Sequence, residues 1–114
     1  MARQLEELRL LVVDDQMAAR SLAAKMLKNL GVSQVYEAPD GRAAMKFLDS
    51  AGDMIDLILC DWNMPGMSGV ELLKQVRSTG FDIPFLMLTG RADLDSVMEA
   101  KSAGVTSYIA KPYS

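Results

Sequence analysis

The sequence predicts an open α/β domain, a parallel sheet with helices on both faces. Strand-like and helix-like stretches alternate along its whole length, and repeated βα units with short links favour parallel strands. The run Leu8 to Val13 is aliphatic apart from Arg9, as a strand buried on both faces would be over most of its length. With 114 residues the chain holds one core, so residues 1–114 are expected to form one domain.

The elements follow in order. The first strand stops at Asp14-Asp15. Met17 to Leu30 then carries apolar residues at helical spacing (Leu22, Met26, Leu27, Leu30) and ends at Gly31, a good C′ residue. Gln34 to Ala38 reads as a second strand. Asp40 can cap a helix through Ala43, Ala44, Phe47 and Leu48 that finishes before Gly52. Asp56 to Cys60 is the third strand. The loop Asp61 to Met67 leads to a helix that Ser68 can cap, with Val70, Leu72, Leu73 and Val76 on its apolar side and Gly80 closing it. Pro84 to Leu88 is the fourth strand, Asp93 to Ala103 a fourth helix ending at Gly104, and Ser107 to Ala110 the fifth strand. Of the two common orders for doubly wound sheets, 2-1-3-4-5 suits five strands. The sequence stops at Ser114, so the last helix is expected to be missing or truncated, and the sheet face it would cover exposed or covered by something else.

Composition removes several functions. Half the residues are apolar, which is enough for a packed core. A net charge of −3 without a basic run argues against direct nucleic-acid binding. No segment approaches the roughly 18 apolar residues of a spanning helix, and the start lacks a signal-peptide core, so no membrane insertion and a cytoplasmic location are expected. The single cysteine, Cys60, lies in an apolar run and reads as a buried structural thiol in a reducing compartment. Histidine is absent. Any chemistry therefore falls to carboxylates, hydroxyls, lysine or a hard metal.

In open α/β sheets the site lies at the carboxyl ends of the strands. Those ends carry Asp14-Asp15, Asp61, Thr89 and Lys111. Taken singly, an Asp or Thr there often only caps the next helix; their joint arrival at four strand ends is harder to explain that way. Three clustered carboxylates repel unless a cation joins them. Mg²⁺ suits an all-oxygen set, keeping several waters and accepting phosphate oxygens. Asp61 could then act as a nucleophile toward a phosphoryl group, with the metal, the Lys111 ammonium and the Thr89 hydroxyl spreading its charge, and Gly90 leaving room.

The strings Val12-Val13-Asp14-Asp15, Cys60-Asp61-Trp62-Asn63-Met64-Pro65-Gly66-Met67-Ser68-Gly69, Leu88-Thr89-Gly90 and Lys111-Pro112 resemble the signature of the CheY-like receiver domains of two-component response regulators. The resemblance runs from about Leu8 to Pro112. It implies the flavodoxin-like doubly wound fold and a phosphorelay switch that catalyses only its own phosphorylation and slow dephosphorylation. By it, Asp61 is the phosphoacceptor. Asp14, Asp15 and Asp61, with the Asn63 main-chain carbonyl, hold Mg²⁺. Thr89 and Lys111 read out the phosphoryl group, Lys111-Pro112 forms a cis-peptide turn, and Tyr108 is the switch aromatic paired with Thr89. Tyr108 otherwise reads as an ordinary aromatic at a strand end. The implied phosphodonor is a histidine kinase or histidine phosphotransfer protein. The downstream target is open, and the surface of helix four, strand five and helix five is the family's exchange face, a possible site of dimerisation.

Trp62 is expected to be a partly exposed neighbour of the site, and the methionines mostly helical core residues. Asn63 and Arg91 lie where the family tunes loss of the phosphoryl group; Arg91 steers acidic donors, screens the phosphate or points into solvent. Other readings compete. An aspartyl-phosphate phosphohydrolase would want a second carboxylate at position 63 and a cap domain. A flavin-binding module would want a Ser/Thr/Gly loop after strand one, and a degenerate receiver would lack an acidic or basic site residue. The chain could also be the receiver portion of a larger regulator or hybrid kinase.

Overall fold

The computed structural model describes residues 5–89, 98 and 100–110, with the side chains of residues 5, 89 and 108–110 outside the description. The strands are β1 (Arg9–Val13), β2 (Gln34–Ala38), β3 (Leu57–Asp61), β4 (Phe85–Thr89) and β5 (Ser107–Ala110). Helices α1 (Met17–Asn29), α2 (Gly41–Ala51) and α3 (Gly69–Ser78) follow the first three strands. All pairings are parallel, and the order is β2-β1-β3-β4-β5, as expected. Residues 100–102 are helical, and the rest of the expected fourth helix lies mostly outside the described residues.

Alternate strand residues point to opposite faces, and two apolar layers result. The larger joins Leu11, Val13, Ile58, Cys60, Phe85 and Met87 of the strands to Ala44 and Leu48 of α2, Val70, Leu72, Leu73 and Val76 of α3, and Ala100. The smaller joins Val12, Leu59 and Leu88 to Ala23 of α1, with Leu27, Val35 and Leu86 half-buried beside them. Among the described residues, α1 is the only helix contributing to that second face.

Local chemistry explains the boundaries. The Asp40 carboxylate accepts from the Ala43 N–H at 2.8 Å and starts α2. Ser68 Oγ accepts from the Glu71 N–H at 3.2 Å and starts α3. Gly31, Gly80 and Gly104 take positive φ after their helices, where a side chain would be strained.

Strands three and four run one residue later than expected. Asp56 lies before β3, where its carboxylate accepts from the Arg9 N–H at 2.9 Å while its own N–H donates to the Arg9 carbonyl at 2.8 Å. That exchange brackets the start of β1. The apolar side of α1 also differs. Leu22, Met26 and Leu30 are exposed, and α1 packs through Ala23, Ala24 and half-buried Leu27. Small side chains let the helix approach the sheet closely, and the larger residues turn outward. The methionines are not mostly helical core: Met64 and Met87 are buried off the helices, while Met17, Met26, Met54 and Met98 are exposed.

Candidate functional site

Strand register builds the site. Val13 pairs with Cys60, so the next residues, Asp14 and Asp61, stand side by side at adjacent strand ends. Asp61 pairs with Leu88, which brings Thr89 to the neighbouring end of β4, and Thr89 pairs with Ala110 of β5. The rim therefore runs along the carboxyl ends of four strands, as the sequence predicts.

Carboxylate oxygens of Asp14, Asp15 and Asp61 lie within 4.8 Å of one another. Asp14 and Asp61 are buried, at 2% and 6% exposure, while Asp15 is open to solvent. Asp14 is held at several points. Its N–H donates to the Ala38 carbonyl at 3.2 Å, and its Oδ1 accepts from the Gln16 N–H at 2.9 Å. Its carbonyl accepts from Arg20 Nη1 at 2.9 Å.

Cys60 lies just behind the carboxylates. Burial, then the charges of Asp61 and Asp14, push its thiol well above its ordinary value. It stays a neutral S–H, donating to the Asp61 carbonyl at 3.2 Å, and supplies no thiolate to a metal. The donor set is thus oxygen only, and its three carboxylates fit a hard divalent cation held on the open side of Asp15.

The loop beyond Asp61 is folded back tightly. The Trp62 N–H donates to the Leu88 carbonyl and the Gly69 N–H to the Trp62 carbonyl, each at 2.9 Å. A Cβ at Gly69 would lie 2.5 Å from the Asp61 carbonyl oxygen, so glycine lets the start of α3 press against the site strand. Gly66, at φ +83°, shapes the turn. Trp62 is buried at 8% exposure, not partly exposed, because this return packs its ring into the larger core.

Of the expected residues, the structure brings together Asp14, Asp15 and Asp61, with the Thr89 backbone on the same rim. Asn63 is exposed in the loop two residues beyond Asp61. The Tyr108 backbone pairs with Met87, while its side chain, Gly90, Arg91, Lys111 and the Lys111-Pro112 turn lie outside the described residues, as does much of the fourth-helix surface. Arg20 was not anticipated. The available signal was a basic residue one turn into a helix that begins without a capping side chain at Gln16.

This fold and acidic rim define a phosphoryl-transfer switch domain, and the chain belongs to the response regulator receiver domain family, which it matches over residues 10–114. It is 39% identical over 108 residues to the chemotaxis protein CheY of Pseudomonas aeruginosa, covering 93% of this chain and 86% of that protein. The solved structure of the Vibrio cholerae chemotaxis protein CheY4 superposes with a TM-score of 0.84 at 34% identity, covering 94% of this chain and 88% of that one. The receiver domain of the histidine kinase CKI1 from Arabidopsis thaliana, complexed with Mg²⁺ and BeF₃⁻, gives a TM-score of 0.84 at 28% identity, covering 93% and 82%.

The chain is a CheY-type receiver, a phosphoaccepting module of two-component signalling. Receiver domains bind Mg²⁺ at an acidic pocket, work with histidine kinases and phosphotransfer partners, and are signalling switches rather than classical enzymes. Among the described residues no helix is long and apolar enough to cross a membrane.

Proposed function

We propose that residues 1–114 act as one receiver unit in which Asp61 accepts a phosphoryl group from a phosphohistidine of a kinase or phosphotransfer protein. The observation that carries this reading is the convergence of three carboxylates within 4.8 Å at adjacent strand ends. Asp61 is the acceptor because it ends β3 at the centre of the rim, between the acidic pair after β1 and Thr89 at the end of β4. In the transfer, an Asp61 carboxylate oxygen forms a bond to phosphorus as the phosphorus–nitrogen bond of the donor breaks. The imidazole leaves with that electron pair. These 114 residues contain no histidine, so the donor ring lies outside them.

Asp14, Asp15, Asp61 and the Asn63 carbonyl would hold Mg²⁺. When bound, Mg²⁺ neutralises charge on the carboxylates and on the phosphoryl oxygens. Asp14 orients the acidic pair through its bond from the Gln16 N–H. Thr89 and Lys111 would contact the phosphoryl oxygens, with Thr89 and Tyr108 forming a two-state element that reports the modification. A cytoplasmic setting accords with a buried free thiol.

Acetyl phosphate with Mg²⁺ tests the reading. Mass spectrometry should find one phosphoryl group on the peptide containing Asp61, and Asp61→Asn should abolish it. A phosphoryl group on another residue, or none with Mg²⁺ present, overturns the assignment.

A further inference from the structure

We infer that Arg20 is a positioning residue for the acidic pair, holding Asp14 and Asp15 in the arrangement a divalent cation requires. This rests on the reading of the acidic cluster given above.

The turn from β1 into α1 lacks the devices found elsewhere in the fold. Asp40 caps α2 and Ser68 caps α3 through their side chains. Gln16, at the corresponding place before α1, makes no side-chain capping bond, and the first turn of α1 has no acidic residue. The segment Asp14 to Gln16 is ordered instead by the Asp14 Oδ1 bond from the Gln16 N–H at 2.9 Å and, from α1, by Arg20. The Arg20 side chain grips its start, Nη1 donating to the Asp14 carbonyl at 2.9 Å, while its backbone N–H makes the ordinary first bond of α1 to the Gln16 carbonyl at 2.9 Å. Nε then reaches Glu37 Oε1 on β2 at 3.2 Å. The next β2 residue, Ala38, accepts from the Asp14 N–H. β1, β2 and α1 are therefore joined through one guanidinium whose side chain is only 15% exposed.

Charge gives the arrangement a second property. A lone cation behind three carboxylates would oppose a bound metal ion. Glu37 balances the guanidinium, so Arg20 supplies its donors with little net positive field. A fork of donors on a planar group can serve the carbonyl and the carboxylate at once, which a lysine ammonium does less well.

Positional and electrostatic roles predict opposite results in the full-length protein. The Mg²⁺ dissociation constant of Arg20→Gln, Glu37→Gln and the double variant would be measured by calorimetric titration well below each melting temperature, with melting curves recorded without metal. Arg20→Gln and the charge-balanced double variant should both bind Mg²⁺ roughly tenfold more weakly, the scale of losing a partner that orients a metal ligand. Glu37→Gln should stay within about threefold of the parent, since the Asp14 bond remains.

Parent-like or tighter binding by Arg20→Gln, or parent affinity in the double variant, overturns the inference. So does a lower melting temperature with an unchanged dissociation constant. Should Arg20→Gln not fold, Arg20→Lys takes its place, expected several-fold weaker, with parent affinity as the overturning result. If the parent protein binds no Mg²⁺, the reading of the acidic cluster fails and this inference falls with it; if only the variants disobey, this inference alone fails.

Discussion

Val13 of β1 and Cys60 of β3 are register partners, and their pairing sets Asp14 and Asp61 side by side although 47 positions separate them in the chain. A slip of one residue in this parallel pair would turn every side chain of one strand to the other face. The buried Leu11, Val13, Ile58 and Cys60 oppose such a slip because they belong to the larger core. Packing energy far from the rim thus fixes the geometry of the rim.

Metal should stabilise the fold through this arrangement. A cation that binds only the assembled carboxylates stabilises by mass action, about 2.7 kcal/mol at a hundredfold excess over its dissociation constant. Thermal melts should therefore rise with Mg²⁺ concentration. Asp14→Asn should keep the acceptor for the Gln16 N–H yet flatten that response, because one ligand charge is gone.

Gly69→Ala should be destabilising by about 1–3 kcal/mol, the usual cost of overpacking. The added methyl would meet the Asp61 carbonyl oxygen at 2.5 Å and Met87 Sδ at 2.7 Å. The thioether can move, but the carbonyl belongs to the strand. Urea denaturation measures the loss, and slower acceptance of phosphoryl groups from acetyl phosphate should accompany it.

Arg77→Ala should cost about 2–3 kcal/mol in the same denaturation experiment, since bonds from a charged donor each contribute about 1.5–3 kcal/mol and part of this group is exposed. Its Nη1 donates to the carbonyls of Phe81 and Ile83, and its Nε and Nη2 to the carbonyl of Gly104. One side chain thereby joins the end of α3 to the entry of β4 and the approach to β5. Arg77→Lys should recover only part of the loss, lacking the fork.

Cys60 should resist a thiol reagent in the native protein and react on unfolding. Its side chain is fully buried, and burial with the charges of Asp61 and Asp14 disfavours the reactive thiolate. Labelling followed by mass spectrometry across a urea titration should track the unfolding curve. Rapid labelling of the folded protein would contradict this placement.

Much of the fold was legible because local chemistry and tertiary context agree. The aliphatic run of β1, the Asp40 and Ser68 caps and the glycines closing the helices each state the same answer at several levels. Helix α1 was legible as a helix, but not in its orientation. Its apolar residues spread around much of its circumference, so spacing could not distinguish a seam through Ala23, Ala24 and Leu27 from one through Leu22, Met26 and Leu30. The burial of Trp62 likewise depends on the Gly69-to-Trp62 hydrogen bond, which folds the loop back over it.

Residue type and position along the chain were enough to name Asp14, Asp15 and Asp61, because strand ends converge in any parallel sheet of this order. Their closeness, the burial of two of them and the open side at Asp15 came from interstrand register and helix packing, which are long-range quantities. Arg20 belongs wholly to the second kind. Its grip on Asp14 and Glu37 arises only when β1, β2 and α1 have docked, and a contact that joins three elements leaves no local pattern to read.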